Sequence, residues 1–188
     1  MDNSILEVKN ITKRFPGVIA LNNISLSVKK GEIHALVGEN GAGKSTLMKI
    51  LSGVYTADEG SFDFDGINHA TMTPRGASGC GIRIIHQELS QIPELTVADN
   101  IFLGEEQAWL KDREIFFAAQ TYIEKMGLTC TADMQIKKLS LGTRQLVEVL
   151  KAAHSNPKLL IMDEPTSSLS SSEIELLFSY MQDLKSRG

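Results

Sequence analysis

An α/β fold is predicted by three features of this 188-residue sequence. The apolar run Ile33–Val37 leads into a glycine loop and then into Ser45 to Leu51, whose apolar residues recur at helical spacing. Two more apolar runs, Ile82–Ile85 and Leu159–Met162, end abruptly in polar clusters, as buried strands of an open sheet do. Long segments of helical periodicity separate them. The hydrophobic fraction of 42% against 22% charged residues is ordinary for a globular chain, and the length suits one domain with a sizeable core.

The glycine loop comprises Gly38, Glu39, Asn40, Gly41, Ala42, Gly43, Lys44, Ser45 and Thr46, and fits G-x-x-x-x-G-K-[ST]. Its glycines permit backbone angles closed to other residues and let amides approach phosphate oxygens. The helix that follows turns its partly positive end toward the same anion. Lys44 is expected to reach the β- and γ-phosphates of a nucleoside triphosphate, and the Ser45 hydroxyl to ligate Mg²⁺.

Before the loop, Ile5 to Val8 and the alternating Ile24–Val28 read as strands. Phe15, beside the turn at Pro16-Gly17, is read either as a core residue or as a ring that stacks on a base. After the first helix, Ser61 to Phe64 alternates, and Asp65-Gly66 is a hairpin signal. An antiparallel β-subdomain is therefore expected beside the parallel unit. From Leu89 to Lys138 no strand pattern appears. Thr96-x-x-Asp99 forms a capping box, and Asp112 to Met126 is a helix stopped by Gly127, with Ile115, Ala119, Tyr122, Ile123 and Met126 on one face. Trp109 is expected to pack within this region. A further helix after Leu139–Gly142 carries Leu146, Val149, Leu150 and Ala153 on one face and stops at Asn156-Pro157. Residues 89–155 are thus expected to form a helical subdomain inserted in a core made of 1–88 and 156–188. Ser170-x-x-Glu173 opens the last helix, with Ile174, Leu177, Phe178, Met181 and Leu184 expected on its buried face.

Asp163 and Glu164 lie together at the end of an apolar strand, where unpaired carboxylates are costly. With a phosphate loop upstream, Asp163 can face Mg²⁺ while Glu164 orients or deprotonates water. Gln87 sits in the polar cluster just beyond Ile82–Ile85. A net charge of −4 offers no electrostatic argument for nucleic acid or an anionic membrane. Cys80 and Cys130 show no metal spacing and read as reduced cysteines of a cytosolic chain. No apolar run reaches transmembrane length, and no signal-peptide pattern opens the chain.

Across essentially its whole length the sequence resembles the ATP-binding cassette (ABC) family, and within it the first cassette of monosaccharide importer ATPases of the ribose/galactose type. The resemblance rests on Arg14–Leu21 (RFPGVIAL), His34–Thr46 (HALVGENGAGKST), Ile85–Leu89 (IHQEL) and Met162–Leu169 (MDEPTSSL). It implies a P-loop core with a mainly parallel sheet, and ATP and Mg²⁺ as ligands. It implies that Phe15 stacks on adenine, that Gln87 contacts Mg²⁺ and the attacking water and senses a membrane partner, that Asp163 holds Mg²⁺, and that Glu164 is the general base. Ser140 and Gly142 match the signature that contacts ATP held by an opposite cassette, fused or dimeric. Transmembrane permease subunits and, through them, a sugar-binding protein are the implied partners, with no nucleic acid, and the implied location is the cytoplasmic face of the cell membrane.

Three positions depart from the family pattern. Leu141 and Thr143 replace the third and fifth signature residues, and Ser170 stands where aspartate is common. The switch histidine would lie beyond Gly188; His34, His69, His86 and His154 do not occupy its place. The sequence therefore reads as a cassette short of its end, expected to bind ATP and to hydrolyse it slowly. A non-transport ABC ATPase of DNA repair or of ribosomes is the alternative.

Overall fold

In a computed structural model, residues 3–104 and 112–187 are described. The chain divides into two compact units, one of residues 1–84 with 185–188 and one of 85–184. Trp109 lies outside the described residues.

The first unit is built on a four-stranded antiparallel sheet of order β2-β1-β3-β4, from β1 (Ser4–Phe15), β2 (Val18–Lys29), β3 (Glu59–Phe64) and β4 (Ile67–His69). Pro16 and Gly17 make the two-residue turn between β1 and β2. Asp65 and Gly66, both with positive φ, make the one between β3 and β4, as the dipeptide predicts. Both long strands run past their sequence-predicted limits, and their register slips at several points, including between Val8 and Ile11. There Asn10 and Asn23 both turn left-handed, and the Asn10 side-chain amide donates to Asn23 Oδ1 at 2.7 Å. Ile11, Phe62 and Phe64 on the inner face are almost fully buried, and Leu47, Ile50 and Leu51 of α1 (Lys44–Leu51) belong to the same unit's core. A short helix α2 (Pro74–Cys80), capped by Thr73, precedes β5 (Ile82–Ile85).

The apolar run Ile33–Val37 does not form the predicted strand. Residues 32–39 are irregular, with Ile33 40%, Leu36 37% and Val37 90% exposed. Apolar composition specifies burial, but a strand also needs a neighbour to receive its amides, and the first unit's sheet is built of β2, β1, β3 and β4 without this segment.

The second unit is mainly helical. The α3 (Val97–Ile101), α4 (Asp112–Met126), α5 (Leu141–Ala153) and α6 (Ser171–Ser186) helices enclose a core in which Val97, Ile101, Ala119, Ile123, Ile136, Leu146 and Leu150 are almost fully buried. Thr96 and Asp99 cap α3 reciprocally, and Gly127 ends α4 with positive φ. On α6, Leu177 is buried and Met181 and Leu184 pack against the core on the predicted face, while Phe178 is 52% exposed and Tyr180 is buried instead. Strand β6 (Leu159–Met162) pairs with β5 in a two-stranded parallel sheet. Together the units carry an antiparallel sheet, a parallel sheet and the helices expected of an α/β chain. Among the described residues no helix is long and apolar enough to cross a membrane.

Candidate nucleotide and hydrolysis sites

The predicted site residues fall on both units. Phe15 and residues 38–46 lie on the first; Gln87, Ser140, Gly142, Asp163 and Glu164 lie on the second.

On the first unit, Gly41 and Gly43 both adopt left-handed backbone, and α1 begins at Lys44. Glycine is required at Gly43 by contact as well as by φ: a Cβ there would run into the Ala20 carbonyl and the Leu21 side chain, so α1 docks on β2 through a bare backbone. Lys44 Nζ donates to the carbonyls of Gly38 at 2.7 Å and Glu39 at 2.9 Å, which fixes the cation against the start of the loop. The Ala42 amide closes onto the Glu39 carbonyl at 3.1 Å. The first turn of α1 carries no acidic residue, so nothing on the helix offsets the pull of its N-terminus on an anion. A left-handed glycine loop, a held lysine and an open helix start are the donor set a polyphosphate needs. Phe15 is half-buried at the end of β1, edge-on to Tyr55 with ring centroids 5.5 Å apart, and Lys13 Nζ stands 5.5 Å from its ring centre.

On the second unit one backbone bond organises the acidic end of β6. The Asp163 amide donates to the Ile85 carbonyl at 3.1 Å. This sets the end of β6 level with the end of β5, so the residues just beyond each strand share a small open pocket. Gln87, Gln145, Glu148, Asp163 and Glu164 line it. Glu164 is exposed and has φ 50°, an uncommon angle for a residue with a side chain; its carbonyl accepts from the Ser167 amide at 3.4 Å and hydroxyl at 3.3 Å. A carboxylate beside an amide on adjacent strand ends can orient and deprotonate a water. Mg²⁺ characteristically takes one or two carboxylates with phosphate and water oxygens, and Asp163 with the Gln87 amide on the same pocket is a donor set that fits such an ion.

Ser140 caps α5 by accepting the Thr143 amide at 3.1 Å, and Gly142 is buried in the first turn. The Glu173 carboxylate lies over this turn: both the Ser140 and Thr143 hydroxyls donate to Oε1 at 3.4 Å. Its Oε2 accepts the Ser170 amide at 2.9 Å and hydroxyl at 2.7 Å, completing the cap of α6. The Ser170 amide bond is the main reason the Glu173 carboxyl is held below its ordinary pKa, followed by the Ser170 hydroxyl. Sequence reasoning found Glu173 in the capping box of its own helix but missed its contact with Ser140, 33 residues earlier. Gln145 and Glu148 were missed too; the one signal was Glu148, a carboxylate set between the apolar Val147 and Val149.

The family model described as "ABC transporter" matches residues 21–167. The chain belongs to the ABC transporter family. A putative ribose/galactose/methyl galactoside import ATP-binding protein of Geobacillus kaustophilus is 44% identical over 100% of the cassette and 38% of that protein. The ribose import ATP-binding protein RbsA of Shouchella clausii is 45% identical over 98% of it and 38% of that protein. The cassette thus spans about two-fifths of the length of these relatives. Among solved structures, an ATP-binding cassette of an ABC transporter in its ADP conformation superposes with a TM-score of 0.85 at 30% identity, covering 98% of this cassette and 78% of that chain. A dimeric cassette described as a post-hydrolysis state bound to ADP and Pi superposes with a TM-score of 0.84 at 25% identity, over 97% of this cassette and 83% of that chain.

Proposed function

We propose that this cassette binds and hydrolyses ATP with Mg²⁺ to energise sugar uptake through a membrane importer. The observation behind it is the Asp163–Ile85 rung, which puts Gln87, Asp163 and Glu164 on one pocket. Sugar as cargo is supported by 44–45% identity along essentially all of this chain with import proteins named for ribose, galactose and xylose, of which it covers 38%.

Each residue has a task that its chemistry suits. Lys44 neutralises and positions the phosphates, with the amides of residues 38–46 around them. Ser45 offers a hydroxyl oxygen to Mg²⁺, while Gln87 and Asp163 offer an amide and a carboxylate oxygen. The ion, when bound, offsets phosphate charge. Glu164 takes a proton from the water that attacks the γ-phosphorus, and Gln87 fixes the direction of that water. Phe15 stacks on adenine. Ser140 and Gly142 meet the ATP of a second cassette, fused or separate, with the N-terminus of α5 behind them. Permease subunits receive the closure of the two cassettes, and a sugar-binding protein supplies the cargo, so the cassette works at the inner face of the membrane.

The test is affinity purification of the tagged chain from its native cells, membranes included. Co-purification with a polytopic permease and Glu164-dependent ATP turnover are expected. Retention on ribosomes or DNA with no permease would overturn the reading in favour of a non-transport ATPase.

A further inference from the structure

Glu148 is a buried carboxylate on a helix that otherwise buries apolar side chains: it is 8% exposed, between Val147 at 0% and Val149 at 2%. A carboxylate is costly there unless it is bonded, and its bonds leave the helix altogether. Glu148 Oε1 accepts the Ser90 amide at 3.2 Å, and both carboxylate oxygens face the Ser90 hydroxyl, at 3.4 and 3.3 Å. Ser90 lies three residues after Gln87, in the same irregular segment.

Two neighbours on α5 grip the same segment. Lys151 Nζ donates to the Ser90 carbonyl at 3.4 Å. Arg144 and Gln91 bond reciprocally, the Gln91 side-chain amide to the Arg144 carbonyl at 2.7 Å and Arg144 Nε to Gln91 Oε1 at 3.2 Å. Positions 144, 148 and 151 follow the helical spacing that puts them on one face. The loop that carries Gln87 is therefore bound, donor and acceptor alike, to the helix that Ser140 caps. Glu148 and Gln87 also line the same pocket as Asp163 and Glu164.

We propose that Glu148 is a positioning residue for hydrolysis: through Ser90 it fixes where Gln87 stands relative to Asp163 and Glu164, and so makes the placement of Gln87 follow α5. This rests on the reading of Gln87 as a site residue. Arg144 and Lys151 steady the same two loop residues, but of these three α5 side chains it is Glu148 that accepts a backbone amide of the loop, at Ser90, and so sets its path there.

Two measurements on the purified 188-residue chain test it. In steady-state Mg²⁺-ATP hydrolysis, Glu148→Ala should lower kcat about tenfold with KM for ATP within about twofold of the parent, the size of one lost hydrogen bond. Glu148→Gln, which keeps an acceptor for the Ser90 amide, should recover most of that loss. In a Gln87→Ala background Glu148→Ala should cost less than about twofold more, because both changes act on one group. An unchanged kcat in Glu148→Ala, or an equal penalty in the Gln87→Ala background, overturns the proposal. Normal turnover by Gln87→Ala alone overturns the reading of Gln87, and the proposal with it. Hydrogen exchange at the Ser90 amide tests the clamp without turnover: Glu148→Ala should speed it about tenfold or more, and equal rates overturn the clamp itself.

Discussion

The Ser140 hydroxyl, which caps α5, donates to Glu173 Oε1 across 3.4 Å, and Glu173 also accepts the Ser170 amide as the reciprocal member of the α6 capping box. One carboxylate thus serves the first turns of two helices. At the serine proposed to meet an anion from outside, an anion of this chain already lies in contact.

Glu173 accordingly gives a pH-dependent prediction. Its folded pKa is held below the ordinary value of 4.5, chiefly by the Ser170 amide and then the Ser170 hydroxyl, so its stabilising effect is complete above the unfolded pKa and is lost as pH falls through the folded one. Glu173→Gln should lower Tm by about 2–4 °C at pH 7, the effect of one helix cap of ~1 kcal/mol in a chain of this size. The gap between variant and parent should hold from about pH 8 to 5.5 and close below pH 4.5. A gap that persists at low pH would mean that the charge is not what Glu173 contributes.

Local signals were legible in the sequence, and their neighbours in space were not. Thr96 with Asp99, Ser170 with Glu173, Asp65-Gly66 and the stop at Gly127 all form as read, because each depends on residues within a few positions. The glycine loop also declares itself, since Gly41 and Gly43 need left-handed backbone whatever surrounds them. The strand at Ile33–Val37 failed because strand formation needs a partner that composition does not name. Phe178 was read as buried and Tyr180 passed over because both lie near the border of the α6 face, where tertiary packing decides. The Ser90–Glu148 bond spans 58 residues, and nothing in either residue's vicinity announces it.

Gly142 should couple to Glu173. A Cβ at position 142 would stand 2.6 Å from Glu173 Cδ, closer than real atoms approach, though the carboxylate end is free to swing. Alanine is otherwise worth about 0.5–1 kcal/mol over glycine in a helix. Gly142→Ala should therefore be near neutral in the parent and stabilising by about that amount in a Glu173→Ala background, as urea midpoints would show. Equal effects in both backgrounds would mean that Gly142 and Glu173 are independent. The displaced carboxyl should also titrate closer to 4.5, visible by NMR.

Phe15 offers a test that separates base from phosphate recognition. Its ring is half-buried against Tyr55 and retains an accessible part, unlike Phe62 and Phe64 on the same sheet. Phe15→Ala should weaken ATP binding by about tenfold or more, the worth of one aromatic stacked on a base, and leave inorganic triphosphate binding unchanged. Phe15→Trp should keep most of the ATP affinity. Equal losses for both ligands would place the effect in the loop, not at the base.

Lys44 and Glu164 should divide binding from turnover. Lys44 Nζ is held by the Gly38 and Glu39 carbonyls, so its removal takes away a phosphate ligand and also frees the start of the loop. Lys44→Ala should reduce ATP affinity by about a hundredfold, a charge-assisted bond to phosphate together with the lost order. Glu164 is exposed beyond β6 and bonds the loop through its backbone carbonyl, so Glu164→Gln disturbs neither the strand nor that turn. It should leave ATP affinity within about twofold and lower kcat by about 10²–10⁴, the usual worth of a general base. Titration calorimetry and single-turnover hydrolysis would read the two effects separately. A Glu164→Gln variant that hydrolyses ATP at the parental rate would pass the base's role to another group on the pocket.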